Sequence, residues 1–109
     1  MYIRTKDGVY KIDEVKPYFL DEKQKLFINN ELKIAANEKQ VIKQSENLEE
    51  LCDGFVVVGN EHIVFQTATF DQVKLFFENK NYEIYGAIWT SKGLIYVARM
   101  NEEGELELI

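Results

Sequence analysis

A chain of 109 residues, 46% of them hydrophobic, has material for one core and no room for a second, so residues 1–109 read as a single domain. The 13 Lys and Arg against 19 Asp and Glu leave a net charge of −6, which repels phosphate backbones and acidic membrane surfaces and argues against nucleic acid as a ligand. One Cys and one His supply neither a zinc-type ligand set nor an internal disulfide, so no metal, no cofactor and a reducing compartment are expected.

No apolar run approaches the ~18 residues of a membrane span, and Met1-Tyr2-Ile3-Arg4-Thr5-Lys6-Asp7 lacks the apolar stretch of a signal peptide, so the expected location is the cytoplasm. Apolar positions in 2–5 and 9–15 flank Lys6-Asp7-Gly8 and predict a hairpin whose turn uses the glycine. A second hairpin is expected over 17–30, with Tyr18-Phe19-Leu20 against Lys25-Leu26-Phe27-Ile28 and a charged tip at Asp21-Glu22-Lys23. Residues 31–40 carry only a weak helical or irregular pattern and are not assigned.

Ser45-Glu46-Asn47-Leu48-Glu49-Glu50-Leu51 has the composition of a helix start, with Gly54 expected to end the helix after two turns. Phe55-Val56-Val57-Val58, apolar throughout, suits a strand covered on both faces; Gly59-Asn60 then turns the chain into Ile63-Val64-Phe65. The main helix is predicted over 70–80, capped by Thr69 with Gln72 as its capping-box partner, and stopped near Asn79 and Asn81. Phe70, Val73, Phe76 and Phe77 define its core side.

Residues 84–100 predict a long hairpin. Its Ile88-Trp89-Thr90-Ser91-Lys92-Gly93-Leu94 echoes Ile3-Arg4-Thr5-Lys6-Asp7-Gly8-Val9, as shared turn chemistry would produce. Asn101-Glu102-Glu103-Gly104 returns the chain for a last strand through Leu106 and Leu108. The fold class is α+β: a small antiparallel-rich sheet built from hairpins, with one main helix packed on a face and a second short helix.

The residues that carry chemistry elsewhere are missing or scattered here. Cys52 reads as a small buried side chain beside Leu48 and Leu51, and the flanking Glu49, Glu50 and Asp53 disfavour a thiolate. His62 follows a turn and is expected to face solvent. Asn101, Glu102, Glu103, Glu105 and Glu107 lack the spacing of a calcium loop, and the neighbouring carboxylates Asp13-Glu14 and Asp21-Glu22 point to opposite sides of a strand. No phosphate-binding glycine loop and no G-x-S-x-G elbow occurs, so no catalytic residue is assigned.

The hairpin over 84–100 does suggest a binding surface. Pairing Thr90 with Leu94 sets Trp89 opposite Ile95, Ala87 opposite Val97 and Tyr85 opposite Arg99 on one face. Ile84, Gly86, Ile88, Tyr96, Ala98 and Met100 occupy the other, where the small Gly86 and Ala98 leave space for the 70–80 helix. Tyr85, Trp89 and Arg99 are then the partner-binding candidates, since these residue types are enriched at hot spots. The competing expectation is that the N-terminal hairpins cover this face as a second core layer. An edge strand of so small a sheet also offers pairing with another copy, so a homo-oligomer is an open expectation.

Val41-Ile42-Lys43-Gln44-Ser45-Glu46-Asn47-Leu48-Glu49-Glu50-Leu51-Cys52-Asp53, Tyr85-Gly86-Ala87-Ile88-Trp89-Thr90 and Gly93-Leu94-Ile95-Tyr96-Val97-Ala98-Arg99-Met100-Asn101 resemble small uncharacterised accessory proteins of temperate phages and prophages of Gram-positive bacteria. The resemblance implies a non-enzymatic protein-binding accessory module that modulates a host or phage protein inside the bacterial host cell. The alternative is a small-ligand-binding domain or an enzyme with an unrecognised site.

Overall fold

The computed structural model describes residues 2–6, 8–11 and 41–109. The hairpin predicted over 17–30, the far end of the 9–15 strand and the unassigned 31–40 lie outside the described residues. Among the described residues there are two antiparallel sheets. The first has the order β2-β1-β3, from β1 (Tyr2–Thr5), β2 (Val9–Lys11) and β3 (Val41–Ser45). The second has the order β5-β4-β6-β7-β8, from β4 (Gly54–Gly59), β5 (His62–Thr67), β6 (Glu83–Thr90), β7 (Gly93–Met100) and β8 (Leu106–Leu108). With the two short helices among these residues this is an α+β fold.

The echo between the β1–β2 and β6–β7 hairpins has a local cause. Thr5 Oγ1 donates to the Gly8 carbonyl at 3.3 Å, and Thr90 Oγ1 donates to the Gly93 carbonyl at 3.1 Å. A threonine three residues before a glycine closes each turn with its own hydroxyl. The matching Ile3 and Ile88 both point into the core.

Three local expectations change. β3 takes Ser45 into a strand, paired with Tyr2, so the first helix starts later: α1 (Leu48–Leu51) is capped by Asn47, whose Oδ1 accepts from the Glu49 N–H at 3.0 Å. Cys52, in extended conformation, ends it, and Gly54 opens β4 instead. Gly59 also stays in the strand, opposite His62, at a position that takes a glycine because a Cβ there would sit 2.7 Å from the Tyr82 ring. The turn itself is Asn60-Glu61, with φ of 53° and 65°, the pair of positive values that a two-residue hairpin requires.

The main helix is shorter than its apolar pattern. α2 (Phe70–Val73) passes into a 3₁₀ turn at Lys74–Phe76 and does not continue to residue 80. Thr69 occupies the cap position without a side-chain bond, and the Gln72 side chain bonds the Thr67 hydroxyl, so the predicted capping box does not form. Tightening the turn brings Phe76 to 5.1 Å from Phe65 and 5.5 Å from Tyr82, ring centre to ring centre, and that aromatic packing outweighs helix propensity here. Phe77 is only partly buried, not a full core residue.

The β6–β7 register agrees with the predicted one at Tyr85↔Arg99 and Gly86↔Ala98 and differs by one residue toward the tip: Ala87↔Tyr96, Ile88↔Ile95, Trp89↔Leu94 and Thr90↔Gly93. Gly93, at φ 101°, enters the ladder directly after a two-residue turn, and a bulge between Gly86 and Ala87 absorbs the extra Val97. Tyr96 consequently moves to the face of Tyr85 and Trp89, while Ile95 turns inward.

Among the described residues two clusters of buried residues pack on the inner face of the five-stranded sheet, Val9 reaching it from β2, while Val56 and Ala87 are buried on the opposite face. One joins Val9, Leu48, Leu51, Ile88, Val97 and Ala98; the other joins Phe55, Val57, Phe70, Val73 and Ile84. The close approach at Gly86 and Ala98 is made by the end of α1 and not by the 70–80 segment: a Cβ on Gly86 would lie 2.6 Å from Cys52 Sγ. α2 packs further along the same face, over Val57 and Ile84.

Candidate functional site

The outer face of the five-stranded sheet follows from alternation along β6 and its partners. Glu83, Tyr85, Ala87 and Trp89 share it with Arg99, Tyr96 and Leu94 of β7 and with Val56 and Gly54 of β4. The three residues singled out in the sequence are therefore on one face. They form two separate groups, because Trp89 is near the hairpin tip and Tyr85 and Arg99 are near its base.

At the base the side chains hold one another. Tyr85 Oη donates to Glu83 Oε2 at 2.7 Å, and Arg99 Nη2 donates to Glu83 Oε1 at 2.9 Å. The Arg99 guanidinium lies 5.9 Å from the Tyr85 ring centre, and Tyr96 stacks on the ring at 4.8 Å and 13°. The hydrogen bond to the Glu83 carboxylate raises the Tyr85 phenol above its usual range, with burial adding to it. Tyr85 is thus engaged by Tyr96 and Arg99, and its ring is a fixed wall more than a free stacking platform. Tyr96 was not singled out in the sequence, since the register assumed there placed it inside.

At the tip, Trp89 is 67% exposed, whereas Val56 and Ala87 on the same face are buried; the 17–30 hairpin expected to cover this face lies outside the described residues. Its backbone is anchored: the Trp89 N–H donates to Asp53 Oδ2 at 2.7 Å, while Asp53 accepts two bonds from Arg4, Nη1 to Oδ1 at 2.7 Å and Nη2 to Oδ2 at 2.6 Å. Arg4 Nη1 also donates to the Leu51 carbonyl at 3.1 Å. This two-pronged bond from Arg4 holds the Asp53 carboxyl below its ordinary range. The two echoing hairpins meet here, since Arg4 and Trp89 occupy matching positions and Asp53 bonds both.

Beside Trp89 a depression of about 290 Å³ opens, lined by Gly54, the buried Val56 and Ala87, Gln66, Trp89 and Leu94. Its shape comes from the sequence: Gly54 and Ala87 are paired across β4 and β6, and two such small residues leave a notch between larger neighbours.

The remaining candidates are placed as follows. His62 is exposed at the start of β5. Cys52 is half-buried over Gly86, and burial pushes its thiol up to about 11. Among the described residues no three His, Cys, Asp or Glu side chains converge to hold a metal ion, and no helix is long and apolar enough to cross a membrane.

No family model, curated protein or solved structure matches the chain, so the role of this face rests on its geometry.

Proposed function

We propose that the chain is a non-enzymatic protein-binding module that docks a partner protein on the outer face of its five-stranded sheet. The observation that carries this reading is Trp89, 67% exposed on an anchored backbone beside a notch of about 290 Å³. Leaving a large ring in water forgoes burial that contributes about 1.5–3 kcal/mol for a core side chain, and a partner that covers Trp89 recovers it. Leu94 extends the apolar patch, and the Tyr85–Glu83–Arg99 group offers fixed polar contacts at its far end.

A partner side chain fits the notch better than a small-molecule ligand does. Ligand pockets of about 300–1,000 Å³ enclose most of what they bind, whereas this depression of about 290 Å³ falls just below that range and is open on one side. The setting suggested by the sequence resemblance, a phage accessory protein that modulates a host or phage target, is consistent with such a module and is part of the proposal.

Capture from a lysate of a Gram-positive host tests it, with the wild-type chain, Trp89→Ala and Leu75→Ala as parallel baits. Leu75 is 84% exposed on the 3₁₀ turn, away from the notch, and serves as the control. A protein retained in stoichiometric amount by wild type and Leu75→Ala, and reduced at least tenfold with Trp89→Ala, supports the reading. Equal retention by all three baits refutes it.

A further inference from the structure

We infer that β5 is a pairing edge whose occupant is the β5 strand of a second copy of this chain, in an antiparallel register that sets His62 opposite Thr67 and Ile63 opposite Gln66. β5 is one edge of the five-stranded sheet, and among the described residues no strand and no loop backbone bonds to its outer side. Such an edge presents a row of N–H and C=O groups that an extended backbone satisfies in full.

Charge favours a second copy. His62-Ile63-Val64-Phe65-Gln66-Thr67 contains no Lys, Arg, Asp, Glu or Pro, the residues by which proteins block their edges. The opposite edge, β8, carries Glu107 and follows Glu102, Glu103 and Glu105. For a chain of net charge −6, β5 is the edge at which two copies pair without like charges in the ladder.

The face pattern supplies the register. Ile63 and Gln66 lie opposite Val58 and Val56, on the outer face, while His62 and Thr67 lie opposite Gly59 and Phe55, on the inner face. Val64 is the extra residue of the bulge between them. A twofold axis between Val64 and Phe65 therefore matches inner with inner and outer with outer. It also places the irregularity on the axis, so that the His62-Ile63 segment of each copy pairs with the Gln66-Thr67 segment of the other. Ile63 and Val64, 45% and 49% exposed, lose water on pairing. The contact is small beside the ~1,200–2,000 Å² of stable interfaces, so the dimer is concentration-dependent.

Sedimentation equilibrium of the full chain from about 10 μM to about 1 mM covers the affinities expected of so small an interface. The expected result is a mass rising from 12.8 kDa toward twice that value, with Leu75→Lys behaving as wild type. Ile63→Lys and Val64→Lys are each expected to stay monomeric with unchanged far-UV spectra. In a Cys52→Ser background, His62→Cys/Thr67→Cys is expected to oxidise to a covalent dimer and His62→Cys/Gln66→Cys to do so far more slowly. A monomeric mass throughout, dimerisation retained by both lysine variants, or equal cross-linking of the two cysteine pairs overturns the inference.

Discussion

Replacing Gly86 by Ala puts a methyl carbon 2.6 Å from Cys52 Sγ and 3.4 Å from Ala98 Cβ. The first distance is well inside van der Waals contact, so either the sulfur rotates out of its place under α1 or β6 and the helix end separate. Overpacking of this kind costs about 1–3 kcal/mol, and the alanine recovers about 0.4–1 kcal/mol by restricting the unfolded chain. The net expectation is a loss of about 1–2 kcal/mol, or roughly 4–12 °C in Tm for a domain of this size. Because the clash is with one atom, Cys52→Ala should relieve it: Gly86→Ala made in that background is expected to cost under about 0.5 kcal/mol, a coupling of about 1 kcal/mol between the two sites. Urea unfolding of the four proteins in the cycle measures this. An undiminished cost in the Cys52→Ala background would refute the packing of the α1 end on Gly86.

The bond between Arg4 and Asp53 sets the acid limb of stability. Arg4 holds the Asp53 carboxyl below its ordinary 3.8, so the ionised form stabilises the fold above that pH, and the contribution is lost as pH falls from 3.8 toward the lowered value. Arg4→Ala is expected to cost about 1 kcal/mol at neutral pH and to flatten that limb in thermal melts between pH 2 and 5; an acid limb identical to wild type contradicts this. For Cys52, raising the thiol from 9.0 to about 11 cuts its thiolate fraction at pH 8 about 100-fold, so labelling by a thiol reagent should be slow in the native protein and fast in urea. Equal rates would show the thiol to be free. Val73→Ala, at a site with no exposure, is expected to cost about 2 kcal/mol, whereas Phe77→Ala, being only partly buried, should fall short of the ~3–5 kcal/mol of a fully buried Phe; denaturant titration ranks the two.

The strands around turns were legible because single residues determine them. Gly93 and Gly104 each mark a turn by a positive φ, whereas Gly8 closes its turn without one, and the unbroken Phe55-Val56-Val57-Val58 run suits the covered strand it forms. Helix extent was less legible. The spacing of Phe70, Val73, Phe76 and Phe77 is equally satisfied by four α residues and a 3₁₀ turn, and the choice is made by Phe65 and Tyr82, which are distant in sequence. β3 escaped notice because its partner is β1, some 40 residues earlier. At the site, Tyr85 and Trp89 share a face by alternation along β6, and Arg99 joins them because the two register changes, at Gly93 and at Val97, cancel before Tyr85. Ile95 and Tyr96 lie between those changes, and each is on the side opposite to the one its sequence position predicts. The contact of Arg4 with Asp53 had no local signal, since two hairpins must fold before those residues meet.

Trp89 is the only tryptophan, so its fluorescence reports directly on the proposed binding face. In the free protein the emission should be that of an indole in water and be quenched freely by acrylamide, as 67% exposure requires. Adding the captured partner should shift the emission to the blue and protect it from the quencher, saturating at one partner per chain. A blue, unquenchable emission in the free protein, or no change in emission when that partner binds, would contradict the account.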